Sequence, residues 1–365
     1  MRIYSRYLLK EMLTLFFLSL LTLLSIYLLV DFFAKVDNVL ENHAGITALF
    51  LFLLNQIPFL MGKFIPLALL LATMLGLGGM AQNNEIVALQ SAGLSLYRLA
   101  LPLVGAGLVL AGVTFYLNNS LVPVTSMRAD RLKTVAIKGD EEKNLYNLKS
   151  LWYSDNNVIY YFADLDPTHE TIAKALIYRF SKDHRLSQRL DIEGLIYHSD
   201  EKSWEGKKVR VRDFRFRDGF TDVVGFQQNN NMKLNITATF KDFLVPHKDP
   251  DRMTLAELKS YIGKAKNVGL PHIEYTVEIF NRIIYPFSCP LMILLAIPFS
   301  LSARRHGGAA RGIAMSLLLG FSFWVVLSMS LALGQGRLIK PFTAAIAPYI
   351  IYGALALYML RQRVQ

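Results

Sequence analysis

A chain of 365 residues with 53% hydrophobic residues and a mean hydropathy of +0.32 is too apolar for an ordinary water-soluble domain. Its formal charge of +11 would suit nucleic acid, but Lys and Arg gather at the flanks of apolar runs, which assigns them to membrane topology and anionic lipid and excludes a nucleic-acid partner. The one cysteine, Cys289, lies inside an apolar run, which excludes an intrachain disulfide and argues against redox or zinc chemistry.

Arg2, Arg6 and Lys10 precede an uncharged run from Met12 to Val30. That run is long enough to cross about 30 Å of hydrocarbon and too long for a cleaved signal peptide. The basic flank places the N-terminus on the cytoplasmic side. Asp31, Lys35, Asp37 and Glu41 then predict a polar outer loop. Ala44 to Met61 and Phe64 to Ala81 are both uncharged, but only Gly62 and Lys63 separate them, too few residues for a turn between antiparallel spans. With Asn55, Gln56 and Pro58 in it, the first part reads as a kinked or interfacial lead-in to a single second span.

From Gly76 to Arg98 a polar island interrupts the apolar runs. Gln82, Asn83, Asn84 and Glu85 break the pattern, Ile86, Val87, Leu89 and Ala92 restore a helical one, and Gly93, Leu94 and Ser95 end it. A one-helix loop of this kind suits docking into a groove on a soluble partner or lying on the bilayer surface, and residue chemistry alone leaves both open. Leu99 to Leu117 predicts the third span, with Gly105, Ala106, Gly107, Ala111 and Gly112 as a face for close helix packing.

Residues 121–270 are polar and strand-like. LWY at Leu151 to Tyr153 and VIYYFA at Val158 to Ala163 flank SDNN, ALIYRF at Ala175 to Phe180 and the run from Leu186 flank KDHR, and both read as hairpins. VRVRDFRF at Val209 to Phe216 alternates and turns at Arg217, Asp218 and Gly219; LNITATF at Leu234 to Phe240 alternates again. Short antiparallel strands with one greasy face predict a sandwich, jelly roll or open barrel. HKDPDRMTLAELKSYI, His247 to Ile262, closes the region with a helix whose start carries a capping box, Thr254 and Glu257.

Glu274, Glu278 and Arg282 share a helical face before the fourth span, Ile283 to Leu301, where Pro286, Pro290 and Pro298 predict kinks. Arg304, Arg305, His306 and Arg311 form a basic cytoplasmic loop; Gly312 to Gly334 and Phe342 to Leu360 complete six spans, and Arg361 and Arg363 return the C-terminus to the cytoplasm. There is no P-loop, so the chain does not hydrolyse nucleotide by that chemistry, and no H-E-x-x-H or G-x-S-x-G motif. The histidines are scattered, and Glu141 with Glu142 reads as a solvated pair. Nothing argues for an enzyme. Lys35, Lys63, Arg128, Arg131, Lys133, Arg282, Arg337 and Lys340 fall near the outer ends of spans. Each alone reads as snorkelling to ordinary headgroups, while as a set they suit a large anionic amphiphile.

Several stretches resemble one family. IPLALLLATMLGLGGMAQNNEIVALQSAGLS, Ile65 to Ser95, is similar to the coupling-helix segment of the lipopolysaccharide export permeases, the LptF/LptG family; RYLLKEML resembles their start. LWYSDNNVIYYF and IYRFSKDHRL resemble the outer domain of the LptG branch. The resemblance implies an α-helical membrane protein with six transmembrane helices and an all-β, jelly-roll-like periplasmic domain inserted between helices 3 and 4. Residues 1–120, 121–270 and 271–365 would be the three parts, with the coupling helix at about 82–93. It implies an inner-membrane location and a non-catalytic subunit that extracts lipopolysaccharide, without cofactor, because ATP is bound by a separate cytoplasmic ATPase dimer.

Glu85, Ile86, Leu89, Gln90, Ala92 and Gly93 would contact that ATPase. Lys35, Lys63, Arg128, Arg131, Lys133 and Arg282 would hold lipid A. The other partners implied are a homologous permease subunit and periplasmic β-jelly-roll proteins. Asn83 and Asn84 depart from the family pattern, as does Asp31, which stands where a relative has lysine, with Lys35 one turn on as a substitute. The neighbouring alternative is the LptF-type permease. From a different class, a membrane-anchored sensor or scaffold would call for a cytoplasmic signalling domain or long linker, and the longest inner segment here is the coupling loop.

Overall fold

The computed structural model describes residues 3–41, 45–133, 150–240 apart from isolated positions, 250–267, 272–302 and 309–364. The expected basic loop at Arg304 to His306 and the Glu141–Glu142 pair lie outside them. The described residues group into a helical unit, which includes Pro250–Lys259, and a strand unit, which includes 260–267.

Among the described residues, six helices are long and apolar enough to span a membrane. Helix α1 runs Ile3–Glu41 without interruption, so the expected outer loop at Asp31 to Glu41 is helix. Asp31 and Lys35 stand one turn apart and ion-pair, a spacing that supports a helix rather than ending it. Helix α2, Ile46–Gln82, is continuous through Pro58 and Pro66 and unites the lead-in and the second span. At 1.5 Å per residue its length is about 55 Å, well beyond the ~30 Å hydrocarbon core. The short α3, Glu85–Ser91, follows, and then α4, Leu96–Tyr116.

Helix α4 does not leave its axis at Leu117. A π-turn, Leu117–Leu121, carries it into α5, Val122–Arg131. Residues 121–131, counted with the strands from sequence, are therefore helical. Pro123 is tolerated because it falls in the first turn of α5, where a missing N–H costs little. The fourth span begins with α7, Ile273–Ile284, tightens into a 3₁₀ turn over Tyr285–Phe287 around Pro286, and continues as α8, Ser288–Ser302. The last two spans are α9, Ala309–Gln335, and α10, Pro341–Val364.

Packing ranks the spans. In the most apolar window of α2, 78% of residues are buried, and in that of the fourth span 72%, against 11% for α1. Helix α4 meets α8 through Leu103, Gly107, Ala111 and Thr114, a stripe at helical spacing. A Cβ on Gly107 would lie 2.7 Å from Ile293 Cδ1, so glycine sets that close approach. Gly105 and Gly112, expected on the same face, meet nothing within 4 Å.

Among the described residues, the strand unit holds one seven-stranded antiparallel sheet: β1 Ser150–Asp155, β2 Val158–Asp166, β3 Thr171–Phe180, β4 Leu186–Ile192, β5 Leu195–His198, β6 Ser203–Arg217 and β7 Phe220–Leu234. It is the all-β domain expected between the third and fourth spans, and its sheet is consistent with a jelly-roll-like wrap. Strands β4 and β5 both lie between β3 and β6 and are two halves of one strand interrupted at Glu193–Gly194. The buried face follows Tyr160 and Phe162, then Ile172, Ala175 and Ile177, then Leu190, Ile192, Leu195 and Tyr197, then Trp204, Val209 and Val211. The two-residue period slips by one between Ile172 and Ala175 and again between Ile192 and Leu195. Beside the second slip, Lys207 N–H donates to Gly194 O at 2.7 Å and Lys208 takes φ +48°. These irregularities line up across three strands and bend the sheet as bulges do.

Strand β7 was not foreseen, and the alternation expected from Leu234 to Phe240 is not a strand where it is described: β7 ends at Leu234 and Ile236 is outside it. After the sheet, a 3₁₀ turn at Pro250–Arg252 leads into α6, Leu255–Asn267. Its capping box forms as expected, with Thr254 N–H donating to Glu257 Oε2 at 2.8 Å and Glu257 N–H to Thr254 Oγ1 at 3.1 Å.

Candidate functional sites at the two ends of the helical unit

At one end stands α3. Its start is set by Asn84 in the left-handed region at φ +59°, a conformation asparagine tolerates better than most residues. Its end explains the Ser91–Ala92–Gly93 run. Gly93 takes φ +85°, its N–H donates to Gln90 O at 2.9 Å, and Leu94 N–H reaches Leu89 O at 3.1 Å. This is the paired closure of a helix C-terminus that favours glycine at that position.

Of the residues expected to contact a partner, Gln90, Ala92 and Gly93 are exposed and Glu85 is half-exposed. Ile86 is 4% exposed and sits in a core with Leu8, Met12, Leu77 and Met80, with Leu89 packed against it. The apolar stripe of α3 faces the chain's own spans because α3 lies against α2 and the start of α1. Glu85 is held from α1, where the Tyr7 hydroxyl donates to Glu85 Oε2 at 3.1 Å. Tyr7 was not singled out from sequence; its proximity to Glu85 depends on a tertiary contact across 78 positions.

At the other end, the expected cations divide into three groups. Arg128, Arg131 and Lys133 are exposed on or just after α5, and the first two share a face at a spacing of three. Lys35 belongs to the same neighbourhood, because Ala129 of α5 packs with Phe52 of α2 and the Lys35 ammonium lies 4.9 Å above that ring. Its charge is met by Asp31, so it is not an open cation. Beside this rim a cavity of about 590 Å³ is lined by Phe32, Ile46, Thr47, Phe50, Leu51 and Leu53, a size typical of ligand pockets with almost wholly apolar walls.

Lys63 is drawn to the chain itself. Its ammonium lies 3.9 Å from Asp251 Oδ2, 5.3 Å above the Phe59 ring and 5.8 Å above the Tyr285 ring. Arg282 is enclosed by the chain itself. It is 2% exposed, and Nη2 donates to Asp251 O at 2.6 Å, Pro250 O at 3.1 Å and Glu278 Oε1 at 3.3 Å. A cation so enclosed is not presented to lipid. The reason is the return of residues 250–252 over α7, which no local pattern announces, although the Glu278–Arg282 spacing of four marked a helical pair. Asn119, Asp130 and Arg252, which complete this neighbourhood, were also missed. Two asparagines inside an apolar run, Asn118 and Asn119, were the available signal.

A family model described as the lipopolysaccharide export system permease LptF/LptG matches residues 6–362. The chain is similar to the lipopolysaccharide export system permease protein LptG of Escherichia coli (strain K12), at 23% identity over 98% of this chain and 98% of that protein. It is similar to the protein of the same name in Haemophilus influenzae, again at 23% identity with 98% of each chain covered.

Proposed function

The chain belongs to the LptF/LptG family of lipopolysaccharide export permeases, and on that premise we propose that it is the LptG-type half of an ATP-driven exporter in the bacterial inner membrane. The LptF-type reading is not favoured, since the curated relatives carry the LptG name. By this reading α1, apolar and only 11% buried in its most apolar window, faces lipid and a homologous permease subunit. A cytoplasmic ATPase dimer engages the exposed side of α3 through Glu85, Gln90, Ala92 and Gly93. The strand unit lies in the periplasm and passes lipopolysaccharide to β-jelly-roll partners. No cofactor is held by this chain; ATP belongs to the ATPase.

One observation carries the lipid side of the proposal: three exposed cations on and after α5 stand beside an apolar cavity at the same end of the helices. An anionic amphiphile needs both. Its phosphates take charge-assisted hydrogen bonds from guanidinium and ammonium groups, and its acyl chains leave water for the cavity wall. Arg128, Arg131 and Lys133 are the primary phosphate contacts. Lys35 and Lys63, which also face Asp31 and Asp251, are further ones.

The test is the double change Arg128→Ala and Arg131→Ala in the assembled complex, scored by lipopolysaccharide co-purifying per complex. Each hydrogen bond to a charged group contributes roughly 1.5–3 kcal/mol, so losing two lowers retention by more than about tenfold. Retention equal to that of the unmodified complex would reduce these residues to headgroup anchors.

A further inference from the structure

The residues that return from the strands are fastened to three spans at once. Pro250–Arg252 is a single 3₁₀ turn. From α7, the buried Arg282 side chain donates to the backbone oxygens of Pro250 and Asp251 and to Glu278. From α2, Lys63 faces the Asp251 carboxylate, and the Lys63 carbonyl accepts a hydrogen bond of 3.1 Å from the Tyr285 hydroxyl. From α5, Asp130 ion-pairs with Arg252, whose guanidinium lies 5.6 Å above Phe59 of α2. The π-turn between α4 and α5 adds Asn119, whose Oδ1 accepts the Leu255 N–H at 3.0 Å.

These attachments differ in kind. The Arg282 contacts are buried and go mainly to backbone carbonyls, all three from Nη2. Withdrawing it would leave a buried charge without partners, which is strongly unfavourable. The Arg252–Asp130 and Lys63–Asp251 pairs have side chains 29–40% exposed, and pairs open to water are weak and easily exchanged. The segment is thus pinned to α7 and only lightly held to α5 and α2.

We propose that Pro250–Arg252 is a latch: Arg282 keeps it fixed to α7 throughout, while the Arg252–Asp130 and Lys63–Asp251 pairs open as α5 and α2 move, so that Arg282 is a positioning residue for lipid transfer and not a lipid contact. The proposal rests on the permease reading above. It follows from connectivity, since α2, α5 and α7 cannot shift relative to one another while all three attachments hold. Lipid displacement between the spans is thereby tied to the chain that leads back from the strands.

The experiment uses the full complex with its ATPase and partner permease, in vesicles containing lipopolysaccharide. In a Cys289→Ser background, Asp130→Cys and Arg252→Cys are joined by a short thiol-cleavable bifunctional reagent. Joining them is expected to lower lipid transfer at least tenfold with ATP hydrolysis kept within twofold, and cleavage of the reagent is expected to restore transfer. Arg282→Met, which removes all three donations, is expected to lower transfer fivefold or more with hydrolysis again within twofold. Undiminished transfer in the joined complex overturns the latch. A parallel loss of hydrolysis and transfer in both variants also overturns it, because that marks general structural damage. If the unmodified complex moves no lipopolysaccharide at all, the permease reading itself falls, an outcome distinct from failure of the latch alone.

Discussion

Glu85 and Gly62 make their predictions through single contacts. Glu85 is the acid in the first turn of α3, where the helix dipole favours negative charge, and Tyr7 orients it. Glu85→Lys reverses the charge in that turn and removes the acceptor for Tyr7. The complex should remain assembled while ATP hydrolysis loses its dependence on lipopolysaccharide, measured as the ratio of hydrolysis with and without lipid. An unchanged ratio would leave Glu85 a helix-start residue only. Gly62 answers to packing. A Cβ there would lie 2.3 Å from Asn118 Oδ1 in the π-turn, so Gly62→Val must displace the Asn118 side chain or push α2 away from the turn. Overpacking of this kind costs about 1–3 kcal/mol, read as a fall in the melting temperature of the purified complex. An unaltered melting temperature would mean that Asn118 swings aside freely.

Among the elements, the strands and helices differ in how their partners make them. The alternation in β2, β3 and β6 follows burial on one face, and hairpins were legible wherever it was present. Strand β7 carries QQNNNMK and is exposed along almost its whole length. Pairing with β6 through backbone hydrogen bonds makes it a strand, and side-chain period carries no record of that. Trp204, fully buried with its ring tilted against Tyr197 and Phe240, is the largest side chain in the sheet's core. Trp204→Ala should cost about 3–5 kcal/mol and lower the denaturant midpoint of the strand unit's tryptophan-independent signal, such as far-ultraviolet circular dichroism, in the full chain. A shift below about 1 kcal/mol would show that the core collapses around the gap.

For the whole molecule, an even number of spans with the strand unit after the third fixes which ends share a side. Positive charge at the N-terminal flank then orients the whole. In a Cys289→Ser background, a cysteine at Glu201 should react with an impermeant thiol reagent added from outside the inner membrane, and a cysteine at Ser95 should be protected until the membrane is opened. Cys289→Ser keeps a partner for its side-chain hydrogen bond, since the Thr114 hydroxyl, 3.6 Å from Sγ, can also bond to serine. Labelling of the Ser95 position from outside would overturn the orientation and, with it, the placement of the ATPase at α3.

Hydropathy is a property of consecutive residues, and so the number of spans, the place of the inserted strands and the short helix between the second and third spans were legible from sequence. So was the capping box of α6, because it depends on neighbours within one turn; of the prolines expected to kink the fourth span, Pro286 lies in a 3₁₀ turn while Pro290 and Pro298 lie within α8. The tertiary structure alone decided where each charge lies. Lys35 was assigned to lipid, but Asp31 meets it once α1 continues through both residues. Lys63 and Arg282 were assigned to the same lipid, but a segment arriving from far along the chain meets both. Arg128, Arg131 and Lys133 stay exposed because α4 extends through its π-turn into α5. A charge pairs with whatever the fold brings within a few ångströms, and that proximity is set by the packing of distant elements rather than by order along the chain.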